Sequence, residues 1–155
     1  MKTAVVTGAT GMIASALIRV LMEKNVKVYA LCKPGEPRED AFFQNPLVTA
    51  IDADISRLAA VKEQICEPCD VFYHFAWLGT FGNTRDDAYL QTDNVRFTLD
   101  AVSLAHALGC ECFVGAGSQA EYGTVTEKLT AKTPTAPVTG YGIANAPTDY
   151  TIYVS

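Results

Sequence analysis

The stretch TGATGMIA at residues 7–14 decides the fold that this sequence predicts. It follows a β-branched run at residues 3–7 and opens a helical pattern of apolar residues. Gly8, Gly11 and Ala14 are small, so a pyrophosphate could approach the backbone N–H groups of the turn, and the helix amino terminus would favour the anion. The pattern therefore predicts a dinucleotide site within a strand–turn–helix unit at the start of the chain.

Apolar strands and helical segments alternate along the remainder of the chain. Strands are predicted at residues 3–7, 26–31, 47–51, 71–77 and 112–116, and helices at residues 13–21, 56–66 (capped by Ser56) and 86–108 (followed by Gly109). Strands that are apolar on both faces are typical of a parallel sheet covered by helices on each side. We expect a doubly wound, Rossmann-type α/β fold with strand order 3-2-1-4-5, and a ligand between the first and fourth strands, where that order reverses.

Composition limits the class of protein. The chain has 155 residues, of which 49% are hydrophobic and 19% charged, which suits one well-packed globular domain. Its net charge of -5 repels phosphate backbones and anionic lipids, so nucleic acid and membranes are not expected partners. No segment has the length of a membrane span or the pattern of a signal peptide, so we expect a cytoplasmic protein.

The cysteines leave two interpretations open. They number five, and nothing indicates export, so reduced thiols are expected rather than a disulfide framework. Cys66 and Cys69 form a CxxC, and Cys110 and Cys112 form a CxC, which would allow a four-thiolate zinc site. The simpler interpretation is that Cys66 closes an amphipathic helix, and that Cys110 and Cys112 are small apolar residues entering a buried strand. We therefore predict no metal.

Five motifs together resemble one known family. They are TGATGMIA at residues 7–14, HFAW at 74–77, Asn94, GSQAEYG at 117–123 and YGIAN at 141–145. This set resembles the extended short-chain dehydrogenase/reductase family, in its branch of NAD-dependent epimerases and dehydratases of nucleotide sugars, and the resemblance covers nearly the whole chain. It implies an NAD(P)-binding domain that carries a hydride-transfer site.

The resemblance implies roles for individual residues. In the family, the glycine-rich turn holds the pyrophosphate, an acidic residue after the third strand contacts adenine, and a Ser or Thr, a Tyr and a Lys form the catalytic set. The implied cofactor-binding residues are Gly8, Thr10, Gly11, Met12, Ile13, Lys33, Asp54, Ile55, Phe75, Ala76, Asn94 and Tyr141, and the implied catalytic positions are Ser118, Tyr141 and Asn145. Asp54 could instead begin the following helix. His74 is interpreted as a satisfied core histidine rather than a catalyst.

The cofactor prediction depends on the end of the second strand. NAD-binding sites usually carry an acidic residue there to hold the ribose hydroxyls, but this chain has Cys32 and then Lys33. Lys33, together with Arg38, could instead meet a 2′-phosphate, although both could also be solvated loop charges. The sequence therefore favours NADP over NAD.

The catalytic set departs from the family pattern. The resemblance implies that Tyr141 exchanges a proton with the sugar while Ser118 hydrogen-bonds the same oxygen. Asn145 occupies the lysine position and supplies no positive charge, so we predict weak or absent turnover. Gln119 and Ala120 stand where dehydratases carry an Asp-Glu pair, which disfavours dehydration and leaves epimerisation or carbonyl reduction open. Glu121 is expected to have a surface or loop-bracing role.

Two overall functions remain open. We expect residues 1–155 to form the NAD(P)-binding domain, with the substrate-binding domain of the family absent. The chain could be the cofactor-binding part of an oxidoreductase or epimerase, or a non-catalytic NAD(P)-binding sensor or interaction module. Pro147 should kink the helix that carries Tyr141, and residues 124–138 could form a mobile flap. A homodimer through the helix at 86–108 is left open, because the family commonly dimerises there.

Overall fold

A six-stranded sheet forms the centre of the protein. The computed structural model describes residues 1–130 and 132–146 and the backbone of residues 151–153. The strands are β1 (Thr3–Thr7), β2 (Lys27–Cys32), β3 (Val48–Asp52), β4 (Val71–His74), β5 (Cys112–Gly115) and β6 (Thr151–Tyr153). They lie in the order β3-β2-β1-β4-β5-β6, which confirms the predicted order of the first five, all of them parallel. The antiparallel strand β6 was not predicted.

Helices cover both faces of this sheet. They are α1 (Met12–Glu23), α2 (Ala88–Ala107) and the short α3 (Gly140–Asn145). Successive side chains of β1 point to opposite faces, so Val6 packs in the core on the α1 side with Ile18, whereas Val5 packs on the α2 side with Phe97. All residues of β1 are buried, as expected for the central strand of a doubly wound sheet.

The helix observed where residues 56–66 were predicted to be helical differs from the prediction in type and in bounds. It is a 3₁₀ helix, Ile55–Gln64, in which the backbone of Arg57 leaves the helical region. Its cap is Asp54 and not Ser56, because the Asp54 carboxylate accepts the Ser56 amide at 2.9 Å and the Ser56 hydroxyl at 2.8 Å. The helix ends before Cys66, which is exposed. The interpretation of Cys66 as the apolar end of an amphipathic helix is therefore wrong.

Strand β4 is shorter than the apolar run that predicts it. The run continues to residue 77, but the strand ends at His74. The hydroxyl oxygen of Thr7, at the end of β1, accepts the amides of Phe75 at 3.0 Å and Ala76 at 3.1 Å. A side chain from the neighbouring strand therefore satisfies the amides that a longer strand would have paired, and the chain turns away from the sheet.

Helix α2 confirms the long helix predicted at residues 86–108. It begins at Ala88 because Asp87 caps it, accepting the amides of Tyr89 and Leu90 at 3.1 Å each. Gly109 follows it with a φ of 75°, a left-handed conformation typical of the residue after a helix. The kink predicted at Pro147 lies outside the described residues. Among the described helices, none is both long enough and apolar enough to cross a bilayer.

Candidate functional site

A groove follows the carboxyl ends of the parallel strands. We call its two halves the β2–β3 pocket, which reaches Lys33, Asp54 and Ile55, and the β4–β5 pocket, which reaches Tyr141 and Asn145. The halves meet at the point where the strand order reverses, between β1 and β4, and they share Gly8, Gly11, Phe75, Ala76, Trp77 and Thr80. The groove is therefore continuous over the glycine-rich turn.

The floor of the groove is the glycine-rich turn itself. Gly8 has a φ of 66°, and a Cβ on it would lie 3.0 Å from the amide nitrogen of Ala76, so only glycine fits. Gly11 precedes α1 in an extended conformation, and within the described residues no side chain caps this helix. The first amides of α1, beginning at Met12, are therefore left to face an anion, which the helix dipole also favours.

Thr7 determines which nitrogen of His74 carries the proton. The Thr7 oxygen already accepts the amides of Phe75 and Ala76, so its own proton is directed to His74 Nδ1, 3.0 Å away. Burial lowers the pKa of His74 to about 4. The ring is therefore neutral with its proton on Nε2, and this nitrogen has no hydrogen-bond partner among the described residues. The prediction of a satisfied core histidine thus holds for one ring nitrogen only.

An aromatic pair stands at the β4–β5 end of the groove. The indole of Trp77 and the ring of Tyr141 meet edge to face, with centroids 5.9 Å apart. The guanidinium carbon of Arg85 lies 4.6 Å from the centroid of the Tyr141 ring, within the range of a cation–π contact. Arg85 comes from a short 3₁₀ helix, Gly82–Asp86, which has no periodic apolar pattern, so its contact with Tyr141 could not be predicted from the sequence.

Helix α3 carries both residues of the YGIAN motif that are predicted to act, Tyr141 and Asn145. The Thr139 hydroxyl caps the helix by accepting the Gly142 amide at 3.0 Å. Asn145 lines the β4–β5 pocket but is only 2% exposed, and its Nδ2 donates to the carbonyl oxygen of Tyr141 at 2.8 Å. The amide of Asn145 is thus held against its own helix.

Ser118 begins another short 3₁₀ helix, Gln119–Tyr122. Its hydroxyl oxygen accepts the Ala120 amide at 3.2 Å, while the Glu121 carboxylate accepts the Ser118 amide, which completes a capping box. Glu121 is buried, so its role is to brace the loop. Gly117 lines the β4–β5 pocket, whereas Ser118 is not among the residues that line either pocket.

Two side chains of α2 hold the loop that follows β4. The Asn94 amide pairs with the backbone of Leu78 in both directions, accepting at 2.9 Å and donating at 2.8 Å. Gln91 donates to the carbonyl oxygen of Gly79 at 3.0 Å, and accepts the Trp77 indole N–H at 2.9 Å. Asn94, which was predicted to bind cofactor, therefore lies behind the groove wall, and among described residues it does not line either pocket.

Charged side chains gather in the β2–β3 pocket. Asp54 lines it, and the hydrogen bonds from the backbone and side chain of Ser56 lower the pKa of its carboxyl group. Asp54 thus caps the 3₁₀ helix and also lines the pocket. Lys33 is exposed at the pocket, whereas Arg38 is ion-paired with Asp52.

Cys69 and Cys110, two of the four thiols that would allow a zinc site, are buried. Burial raises the pKa of Cys69 to about 11 and that of Cys110 to about 12, so both are protonated at neutral pH. In the part of the chain that the structure describes, no group of three or more His, Cys, Asp or Glu side chains could hold a metal ion.

Comparison with protein families gives a match over almost the entire chain. The model of the NAD dependent epimerase/dehydratase family matches residues 4–151. Among curated proteins, dTDP-6-deoxy-L-talose 4-dehydrogenase (NAD(+)) of Aggregatibacter actinomycetemcomitans is 29% identical over 141 residues, which cover 90% of this chain and 50% of that protein. The GDP-mannose 4,6-dehydratase sdnI of Sordaria araneosa is 29% identical over 157 residues, covering 92% of this chain and 28% of that protein.

Solved structures agree with this fold. A UDP-galactose 4-epimerase superposes with a TM-score of 0.77 at 25% identity, covering 93% of this chain and 48% of that one. The Bordetella bronchiseptica enzyme WbmG, solved in complex with NAD, superposes with a TM-score of 0.77 at 16% identity, covering 92% of this chain and 46% of that one. The chain thus spans half or less of the length of these relatives.

Proposed function

The chain belongs to the NAD-dependent epimerase/dehydratase family, and we propose that it is the cofactor-binding part of an NAD(P)-dependent oxidoreductase or epimerase that acts on a nucleotide sugar. Its relatives include a dTDP-sugar dehydrogenase that uses NAD(+) and a GDP-mannose dehydratase. Because the chain spans only part of these proteins, the reaction and the substrate are carried over as proposals. The assignment of residues 1–155 to one domain without a substrate-binding region, and the homodimer, also stay predictions.

One observation carries the proposal: the groove crosses an uncapped helix amino terminus at two glycines. Gly8 lets the turn approach the backbone of Ala76 closely, and Gly11 places no side chain over the first amides of α1. A pyrophosphate there would receive several backbone hydrogen bonds and the favourable end of the helix dipole. The groove continues in both directions from this point, as an extended dinucleotide requires.

The two ends of the groove suit different halves of a dinucleotide. We assign the adenosine to the β2–β3 pocket, where Asp54 would accept from the adenine amino group beside Ile55. The nicotinamide would then lie in the β4–β5 pocket near Tyr141. NAD(P), when bound, supplies a carbon that exchanges hydride with the sugar. Tyr141 would exchange the accompanying proton with the sugar oxygen. The hydrogen bond from Ser118 to that oxygen, which the family resemblance implies, stays a prediction, because Ser118 is not among the described residues that line the groove.

The only tryptophan of the chain gives a direct test of binding. Trp77 lines both halves of the groove, so its emission should be quenched when NADH or NADPH binds and energy passes to the reduced nicotinamide. We expect saturable quenching by at least one of the two. In Gly11→Val, the added side chain occupies the space above the turn and should weaken binding about tenfold or more.

Ala60→Val is the matched control, because Ala60 is an exposed residue of the 3₁₀ helix Ile55–Gln64 and is not among the residues that line the groove. It should bind like the unmodified chain. Circular dichroism of both variants would report any loss of fold. If neither dinucleotide quenches Trp77, or if Gly11→Val binds as tightly as Ala60→Val, the proposed function is wrong.

A further inference from the structure

Glu36 stands in the groove although no strand or helix places it there. Pro34 and Gly35 form the centre of a β-turn that follows β2, in which the Glu36 amide donates to the carbonyl oxygen of Lys33 at 3.2 Å. Gly35 has a φ of 81°, and this positive value after a proline is typical of a type II turn. The turn folds the chain back, so that Glu36 lines the β2–β3 pocket.

A second contact holds the carboxylate at the glycine-rich turn. The hydroxyl of Thr10 donates to Glu36 Oε2. Thr10 lies between Gly8 and Gly11, so this hydrogen bond joins the loop after β2 to the loop after β1 across the pocket. A carboxylate has about four lone-pair positions, so the bond from Thr10 leaves acceptor capacity for a further donor.

The charges that line this pocket oppose a 2′-phosphate. They are the ammonium of Lys33 and the carboxylates of Glu36 and Asp54, so the carboxylates outnumber the single cation. Arg38, the other cation predicted to meet a phosphate, is ion-paired with Asp52. A phosphate with about two negative charges would be repelled by a nearby carboxylate. A ribose 2′-hydroxyl would instead donate to it, and a hydrogen bond to a charged acceptor is among the stronger kinds.

We propose that Glu36 accepts a hydrogen bond from the 2′-hydroxyl of the adenosine ribose, and that it makes NAD the preferred dinucleotide of this chain. Glu36 would take the role of the acidic residue that usually holds the ribose hydroxyls at the end of β2. In this chain Cys32 and Lys33 occupy that position. The inference rests on the proposed function, because it assumes that a dinucleotide lies in the groove. It reverses the preference for NADP that Lys33 and Arg38 alone suggest.

Paired titrations of Trp77 emission with NADH and NADPH test this assignment. The unmodified chain should bind NADH more tightly. In Glu36→Gln the loss of the charged acceptor should weaken NADH binding about tenfold, and the loss of repulsion should strengthen NADPH binding, so that the ratio of the two dissociation constants shifts by more than tenfold. Glu36→Gln keeps the size of the side chain, and the residue is exposed, so the fold should be unaffected.

Glu39→Gln is the matched control. It removes the same charge from the same loop, and Glu39 is exposed but is not among the residues that line the β2–β3 pocket. The inference is overturned if the unmodified chain prefers NADPH, or if Glu36→Gln shifts the ratio no more than Glu39→Gln does. If neither dinucleotide binds at all, the proposed function itself fails, and the inference with it.

Discussion

The Thr7 hydroxyl links the end of β1 to the end of β4 and sets the state of a buried histidine. His74 is held neutral by burial, with its Nδ1 accepting from Thr7 and its pKa lowered to about 4. The unfolded chain takes up a proton on this side chain near its usual pKa of 6.5. Between these two values the unfolded state binds more protons than the folded state, so stability falls as the pH falls.

This linkage predicts a specific acid sensitivity. Between about pH 7 and pH 5, His74 should lower the free energy of unfolding by roughly 2 kcal/mol. Urea unfolding at a series of pH values would measure the slope. His74→Gln should show a shallower slope, whereas His106→Gln, a substitution at the exposed second histidine, should retain it. Equal slopes in the unmodified chain and His74→Gln would contradict the assignment of a neutral buried ring.

Asn145 is the residue on which we expect turnover to depend. The family resemblance places a lysine there, and the Asn145 amide instead donates to the carbonyl oxygen of Tyr141. A positive charge at this point of the pocket would favour the deprotonated tyrosine that accepts a proton from the sugar. We predict weak or absent turnover for the chain as it stands.

Asn145→Lys should then raise hydride transfer between NAD(P) and nucleotide sugars, by about 10²–10⁴-fold where proton transfer limits the rate. The change in absorbance of the reduced nicotinamide measures it. Asn145→Met, of similar length but without charge, is the control and should give no increase. A lysine variant no faster than the methionine variant would exclude the missing charge as the cause and favour a non-catalytic binding module.

At the scale of elements, α3 depends on a close approach to the 3₁₀ helix Gln119–Tyr122. A Cβ on Gly142 would lie 2.4 Å from the carbonyl oxygen of Ala120, so even alanine cannot be accommodated without moving one of the two helices. We expect Gly142→Ala to destabilise the fold by about 1–3 kcal/mol and to weaken dinucleotide binding, because Tyr141 would move with α3.

Gly140→Ala is the matched substitution within the same helix. Its Cβ would meet the Cα of Asp86 at 3.4 Å, which is ordinary contact, so little change is expected. Urea unfolding and the Trp77 titration measure both effects. If Gly142→Ala and Gly140→Ala unfold at the same urea concentration, the contact between α3 and Ala120 is not as tight as described.

The same scale shows what a sequence can and cannot predict. Strands β1 to β5 follow from runs of apolar residues, and their parallel order follows from the alternation with helices. The sequence predicts that β4 continues beyond its observed end. It stops earlier because the hydroxyl oxygen of Thr7, which is distant in the sequence, accepts the next two amides. The cap of the 3₁₀ helix Ile55–Gln64 was misplaced for a local reason, since Asp54 and Ser56 both suit a cap.

Some residues of the candidate site could be predicted from the sequence, and others could not. The glycine-rich turn could be predicted, because its residues adjoin one strand and one helix in sequence. Glu36 and Arg85 could not, because neither belongs to a periodic apolar segment. Glu36 lines the groove, and Arg85 contacts the Tyr141 ring, only through the packing of parts of the chain that are distant in sequence. Asn94 was recognised by its motif, but its distance from the groove is visible only once α2 is packed against the loop after β4.

On the scale of the whole molecule, one end of the groove is lined by charged side chains and the other by exposed apolar ones. Lys33, Glu36 and Asp54 line one end. At the other end, Met12 and Phe81 are each 85% exposed, although they are large apolar side chains. Both side chains line the β4–β5 pocket. The net charge of -5 does not prevent anion binding here, because the helix dipole and the amides act at short range.

Gln91 and Asn94 connect helix α2 to the wall of the groove through hydrogen bonds. Both side chains form hydrogen bonds with the loop that carries Trp77, from the inner face of the helix. Tyr89 and Leu99 are exposed on the same helix. A displacement of α2 would therefore move the wall of the groove with it. By the same coupling, a ligand that fixed the wall of the groove would also resist movement of α2.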